Sequence, residues 1–395
     1  MRFIHTADWH LGRVLHDVSL EPFQERFLDH MVELTKDVKP DGLLLAGDVF
    51  DRAIASTTSI ELLEDALSRL IEHTRVVLIP GNHDSATRLG FGAQLFRERI
   101  EIVSRLARIG KPTVFGAGPD AVNVYSIPYL EPDVARRALA EKEPGDDSAH
   151  LLERSHDAVM AAALRRVATD MEQRPGRAIA MVHAFIAGGS ASDSERDISV
   201  GGAQNVFVST FENLGGETSA ARPLDYVACG HLHRPQDISA SIPIRYSGSP
   251  MPFSFSEAND HKTTSIISLE DTRPRVEYVD VPQTYELRQV AGTLQELTEQ
   301  APSWAQHAYV SVEVTDLVRP DHLFAKVRAV YPKALVIRHT GFSRELGAHM
   351  PRAHVDPMDM TVAFFRHALG RAPNETELAI IEHTWTQMRM EADAS

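Results

Sequence analysis

Cysteine is nearly absent. Cys229 is the single thiol in 395 residues, so the chain cannot build an internal disulfide framework. Its place in the apolar run Tyr226-Val227-Ala228-Cys229 reads as small buried packing and not as a nucleophile. Long hydrophobic runs are missing too: none approaches the roughly 20 residues that span a bilayer. The stretch Met1-Arg2-Phe3-Ile4-His5 looks like a strand and not like an apolar leader. The expectation is a cytoplasmic protein without membrane contact. Positive charge is also short, with 40 Lys and Arg against 55 Asp and Glu, a net charge of −15. This excludes a generic nucleic-acid coat, because phosphate contacts need a positive surface. A local basic patch, or a partner that supplies one, stays open. The hydrophobic fraction of 43% and charged fraction of 24% are ordinary for a globular chain.

What is present is a series of apolar runs that each end in polar, metal-binding types. Arg2-Phe3-Ile4-His5-Thr6 reads as a strand leading to Asp8 and His10, which point the same way if the backbone stays extended. Phe23 to Val38 has helical spacing, and Pro40-Asp41 ends it. Gly42-Leu43-Leu44-Leu45-Ala46 reads as a buried strand delivering Asp48 and Asp51. A helix from about Ser59 to Glu72 leads to Val76-Val77-Leu78-Ile79, which exits at Pro80-Gly81-Asn82-His83-Asp84. This βαβαβ order implies parallel strands with right-handed crossovers. Open α/β sheets bind their ligands at such strand exits.

Further along, Arg88, Arg97, Arg99, Arg105, Arg108 and Lys111 interleave with Glu98 and Glu101, which favours a solvated face over a phosphate site by about two to one. Val122 to Tyr129 is expected as a strand, Glu141 to Ser148 as a surface loop, and Leu151 to Glu172 as a helix. Ala178 to Val182 is a strand with His183 at its exit, and Gly188 to Ser192 a flexible loop able to close over a site. Tyr226 to Cys229 is a strand followed by His231 and His233. Thr263 to Leu269 and Arg275 to Val281 alternate like paired strands and are expected to complete a second sheet. After Pro282 the strands Tyr309 to Val314 and Ala334 to Arg338 flank a helix near Leu323 to Val330, a small α+β unit. His339 to Asp359 reads as a linker before two amphipathic helices, Met360 to Leu369 and Glu375 to Met390. Their apolar residues, Phe364, Phe365, Ile380, Ile381 and Trp385 among them, exceed what a helix pair can hide, so a partner protein is expected to cover them.

Any one of these histidines alone is more simply a satisfied core residue. Taken together, five strand exits carry oxygen and imidazole donors: Asp8 and His10, Asp48, Asn82 and His83, His183, then His231 and His233. No thiolate is among them. That many ligands suit two divalent cations about 3.5–4 Å apart, the arrangement that clamps both oxygens of an in-line displacement. One carboxylate must bridge, and Asp48 at the central strand end is the candidate. Mixed His, Asp and Asn donors favour manganese, iron or zinc over calcium.

Asp-x-His at 8–10, Gly-Asp-x-x-Asp at 47–51, Gly-Asn-His-Asp at 81–84, His183 after a strand and Gly-His-x-His at 230–233 resemble the five motifs of the calcineurin-like metallophosphoesterases. The spellings His5 to Gly12, Ala46 to Asp51, Gly81 to Ser85, Asp193 to Gly201 and Tyr246 to Pro250 resemble, more narrowly, the SbcD family of DNA double-strand-break repair nucleases. The close likeness covers about the first 280 residues. It implies an α/β fold: a four-layer α/β/β/α metallophosphoesterase sandwich over 1–282, a small α+β capping and DNA-contact domain over 283–341, and a linker with C-terminal helices over 342–395 that dock on an SbcC-type ATPase. It implies one cation held by Asp8, His10, Asp48 and His233, and a second by Asp48, Asn82, His183 and His231, with manganese preferred. His83 would stabilise the transition state or protonate the leaving sugar oxygen. Asp51 stands where archaeal relatives carry a second histidine, and here a carboxylate could orient His83, with an ion pair near Arg52 as the plainer alternative. The implied activity is exonuclease on duplex DNA ends and endonuclease on single strands or hairpins, in DNA repair, recombination and replication. The implied assembly is a homodimer within a heterotetramer, the dimer contact lying in the helices after the second and third motifs. A small-molecule or protein phosphoesterase of the same fold, or a catalytically idle DNA-end scaffold, are the alternatives.

Overall fold

Leu43-Leu44-Leu45 and Val76-Val77-Leu78-Ile79 offer no polar residue to either side, and both runs lie wholly buried as central strands. The structure is a computed structural model that describes residues 1–95, 98–140, 151–199, 205–214, 216, 219–271, 273–341, 358, 360–362, 364–365 and 371–393. Its principal strands are β1 (Arg2–Thr6), β2 (Gly42–Ala46), β3 (Arg75–Ile79), β4 (Ile100–Ile102), β5 (Thr113–Phe115), β6 (Val122–Ile127), β7 (Arg177–His183), β8 (Tyr226–Gly230), β9 (Gln236–Ile238), β10 (Ile244–Tyr246), β11 (Thr263–Ser268), β12 (Arg275–Asp280), β13 (Leu287–Gly292), β14 (Tyr309–Val314) and β15 (Ala334–His339). The helices used below are α1 (Glu21–Val38), α2 (Thr57–Leu70), α3 (Pro132–Ala138), α4 (His156–Met171), α5 (Val208–Glu212), α6 (Leu323–Val330) and α7 (Glu375–Asp393).

Two six-stranded sheets face each other, ordered β12-β11-β1-β2-β3-β4 and β9-β10-β8-β7-β6-β5. β1 to β4 run parallel, as do β6, β7, β8 and β10, so their carboxyl ends gather at one rim. Phe3, Leu44, Val77 and Ile79 of the first sheet meet Val124, Ile179, Met181, Tyr226 and Ala228 of the second. The outer face of the first sheet is covered by α1 and α2 through Phe27, Met31, Leu63 and Leu70. The outer face of the second is covered by α3, α4 and α5 through Ala135, Val159, Ala163, Leu164 and Phe211. This is the four-layer α/β/β/α sandwich. His5 is a satisfied core histidine between the layers, its ring nitrogens 3.1 Å from Tyr226 Oη and 3.2 Å from the Cys229 carbonyl.

One expected assignment needs correction. The pair β11 and β12 extends the first sheet and not the second: Arg2 to His5 pair antiparallel with Ser268 to Ser265, and β12 then pairs on β11. Alternation tells which face of a strand is buried, whereas the free edge it joins is decided by tertiary contacts. The helix expected from Leu151 begins only at His156, because the Ser155 side chain caps it by accepting from the Ala158 amide.

Residues 287–339 form a parallel three-stranded sheet, β13-β14-β15, with its own core of Val310, Val312, Val314, Val327 and Tyr331 beneath α6. The strand β13 had no place in the sequence reading. Tyr285 seats this unit, its ring 4.7 Å from that of Phe23 and its hydroxyl donating to the Pro252 carbonyl. α7 is present, with Ile380 exposed, and so is the exposed Phe364. The expected loop 141–148, most of the linker, Leu369 and the side chain of Met388 lie outside the described residues. Among the described residues no helix is long and apolar enough to cross a membrane.

β8 and β2 come into backbone contact across the two sheets. A Cβ on Gly230 would stand 1.9 Å from the Ala46 carbonyl oxygen. Gly230→Ala should therefore push the central strand ends apart and destabilise the fold by about 1–3 kcal/mol, as overpacking does. A urea midpoint equal to that of the parent protein would refute this account of the contact.

Candidate metal centre

The loops leaving β1 and β2 stay paired beyond the strands. The amides of Asp8, His10 and Leu11 donate to the carbonyls of Gly47, Asp48 and Val49 at 2.9–3.0 Å. Asp84 ties in the β3 exit by accepting from the Gly81, Val49 and Phe50 amides. Gln24, on α1, accepts from Gly12 and donates to the Trp9 and His10 carbonyls. To turn inward this sharply, Asp8, His10, Asp48 and His231 adopt positive φ of 54°, 45°, 48° and 107°. Such backbone is sparsely populated outside glycine and gathers at functional sites.

These turns bring all seven candidate ligands to one rim. His10 Nε2 lies 3.1 Å from His233 Nε2 and 3.6 Å from Asp48 Oδ2. His183 Nε2 lies 3.4 Å from Asp48 Oδ2 and 2.9 Å from Asn82 Oδ1, which is also 3.0 Å from His231 Nδ1. Asp8, His10 and His233, and likewise Asp8, Asp48 and His183, have ligand atoms all within 4.8 Å of one another. Asp8, His10, Asp48, His183, His231 and His233 are buried. Two ring nitrogens facing each other beside a carboxylate, with Asn82 Nδ2 buried and unpaired, form a donor set suited to a central positive charge. Divalent cations fit it, with Asp48 between both groups of ligands.

His83 is the one partly exposed imidazole of the motif set, and Asn82 beside it is partly exposed too. Its amide donates to Asp48 Oδ1 at 2.8 Å, and its Nδ1 stands 2.8 Å from the backbone carbonyl of Asp51. The expected carboxylate–imidazole dyad is thus not made. The Asp51 carboxylate turns to Arg13, at 2.8 Å, and to His10 Nδ1, at 3.6 Å, and Arg52 lies 3.7 Å away. A half-buried guanidinium in reach outcompetes an imidazole already served by a carbonyl. The loop at Gly188 to Ser192, expected as a flap, is tied down through Ser190 to Gln236 and Ser192 to Glu195.

With this geometry in hand, the comparison with known families is direct: the profile of the calcineurin-like phosphoesterases matches residues 1–235. The chain belongs to this family. It is similar to the solved structure TT1561 of Thermus thermophilus, 13% identical over 71% of this chain and 99% of that one, with a TM-score of 0.40. It is also similar to a dimetal phosphatase from Danio rerio, 12% identical over 72% and 97% of the two chains, TM-score 0.45.

In the metal-free phosphoesterase centre, burial pushes the Asp8 carboxyl up to about 7 against the pull of His183 and His233. Burial would also raise Asp48, but His183, His10 and His83 together hold it well below the carboxylate range. Burial works against protonated His183, yet the charge and hydrogen bond of Asp48, with Asp8, carry it to about 9. His10, by contrast, is lowered to about 3 by burial, and burial also lowers His231 well below its usual value. Unfolded histidine titrates near 6.5, so the stability that His183 confers is fully present below that pH and is lost as pH rises through about 9. Below about 6.5 the lowered His10 and His231 act the other way. Metal-free protein should therefore lose stability between about pH 7 and 9 in urea melts, and saturating Mn²⁺ should remove that slope by replacing the protons. A flat pH profile for the metal-free form would contradict it.

Proposed function

We propose that the chain is a metal-dependent DNA nuclease of the calcineurin-like family, cutting phosphodiester bonds at duplex ends, single strands and hairpins together with an SbcC-type ATPase. The observation that carries this reading is where the α+β unit attaches. Tyr285 holds it to Pro252, and the neighbouring Phe253 ring packs 5.3 Å from His10 and 5.4 Å from His233. A long polymer laid across this rim would meet the metal ligands and the 287–339 unit together, whereas a small phosphoester needs no such second surface. The motif spellings quoted above support the same choice.

Two divalent cations, when bound, would polarise the phosphate and make water a nucleophile at neutral pH. Asp8, His10, Asp48 and His233 on one side, with Asp48, Asn82, His183 and His231 on the other, would hold them. The chain's own residues then orient and protonate. The Asp51 carbonyl accepts from His83 Nδ1, which aims Nε2 outward from the only partly exposed imidazole of the motif set. As water's oxygen bonds to phosphorus and loses its proton to solvent, the bond to the sugar oxygen breaks, and a His83 ring protonated on both nitrogens hands its Nε2 proton to that leaving oxygen. Asp51 acts on this step through its backbone, so its side chain tunes His10 and not the acid.

A partner ATPase would supply the positive surface that a net charge of −15 withholds, and the exposed Phe364 and Ile380 of the C-terminal segment suit such a partner. A second copy of the chain would cover the exposed Ile54, Phe91 and Leu95 beside the groove of Phe50, Ile60, Leu63 and Leu89.

With Mn²⁺ and a hairpin-ended duplex, cutting should rise when the ATPase is added and vanish in Asp48→Ala. His83→Gln should lower the rate by about 10²–10⁴ while binding the same amount of Mn²⁺. Hydrolysis of a simple phosphodiester with no cutting of any DNA would instead select the small-substrate reading.

A further inference from the structure

Behind His233, on the side away from His10, runs a line of buried polar groups that the reaction above does not use. It begins at an ion pair with no solvent exposure, Lys262 Nζ to Glu257 Oε2 at 2.6 Å. Lys262 directs its other protons to the His233 carbonyl at 2.8 Å and Ser249 Oγ at 3.0 Å. Glu257 Oε1 accepts from Ser254 at 3.0 Å and from Ser194, with Ser192 Oγ, whose proton goes to Glu195, 3.1 Å away. The Ser194 hydroxyl, in turn, lies against His233 Nδ1.

Proton counting gives this line a direction. With Lys262 beside it, Glu257 is ionised and can only accept. Ser194 has one hydroxyl proton, and it goes to the carboxylate. The oxygen of Ser194 is then left to accept, so His233 Nδ1 must donate. A neutral imidazole protonated at Nδ1 has its lone pair on Nε2, the atom that faces His10. We propose that Lys262, Glu257 and Ser194 form a positioning relay that locks His233 in the tautomer able to bind a cation through Nε2. The assignment rests on reading His233 as a metal ligand.

The relay makes the two halves of the centre unequal. His183 is oriented from behind by a backbone carbonyl, Ala46 O at 2.9 Å from Nδ1, which no side-chain change removes. His233 depends on three side chains from a different part of the chain. Loss of such an outer partner commonly costs 10–100-fold in metal affinity. The cost here should fall on the cation shared by Asp8, His10 and His233, leaving the His183 and His231 side near its parent affinity.

The test has two arms. In metal-free protein at alkaline pH, ¹⁵N NMR of the histidine rings should show His233 protonated at Nδ1, and Ser194→Ala should release that preference. Titration with Mn²⁺ followed by calorimetry should show one of two binding events weakened about 10–100-fold in Ser194→Ala, and restored in Ser194→Thr, which keeps the hydroxyl. Glu257→Gln should act like Ser194→Ala; if it fails to fold, the serine variants still decide. Finding His233 protonated at Nε2 in the parent protein, or both Mn²⁺ events unchanged in Ser194→Ala, would overturn the relay. A parent protein that takes up no Mn²⁺ would instead remove the metal-centre reading, while the ring-proton arm still judges the tautomer.

Discussion

Everything at the rim depends on how near two backbones can come. β2 and β8 belong to different sheets, yet Gly230 sits against the Ala46 carbonyl with no room for a side chain, and His183 reaches the same oxygen from β7. A stacked pair of sheets normally keeps about 10 Å between backbones. Here the gap closes at the carboxyl ends, which is why donors from both sheets converge within bonding distance of one another. The apolar layer of Phe3, Leu44, Ile179 and Tyr226 holds the sheets apart elsewhere and sets the angle of that closure.

The convergence has a cost that the metal-free fold carries by itself. Four residues hold left-handed backbone, each worth on the order of 1–3 kcal/mol of strain, and several ionisable groups lie out of water. Backbone bonds between the β1 and β2 loops, and the three amides gathered by Asp84, fix these turns without any cation. The backbone thus fixes where the candidate ligands stand. His183, its Nε2 3.4 Å from Asp48, offsets part of that carboxylate's charge when protonated.

Much of this was legible in the sequence because each donor cluster is local. Asp8 and His10, Asp48, Asn82 and His83, His183, and His231 with His233 each follow an apolar run whose strand character is written in consecutive residues. Their meeting at one rim follows from parallel strands. The parts that were not legible come from distant segments with no local signature. Arg13 claims the Asp51 carboxylate across 38 positions, and Glu257 lies 63 positions from the serine it serves. The attachment of β11 to β1 failed for the same reason, since a strand's alternation names its buried face and not its neighbour. Gln24 looked like one more polar position on an amphipathic helix, and only its burial under the His10 loop shows its use.

That edge pairing has a bearing on synthesis. The partner of β1, Ser265 to Ser268, is synthesised some 260 residues after it. Until then one side of β1 offers unpaired amides and carbonyls, a template for association with other nascent chains. The ordering of the first sheet is thus deferred to nearly the end of the sandwich, a topology of high contact order that folds slowly. A chain cut after His233 would hold every candidate donor and still lack the strand that closes its first sheet.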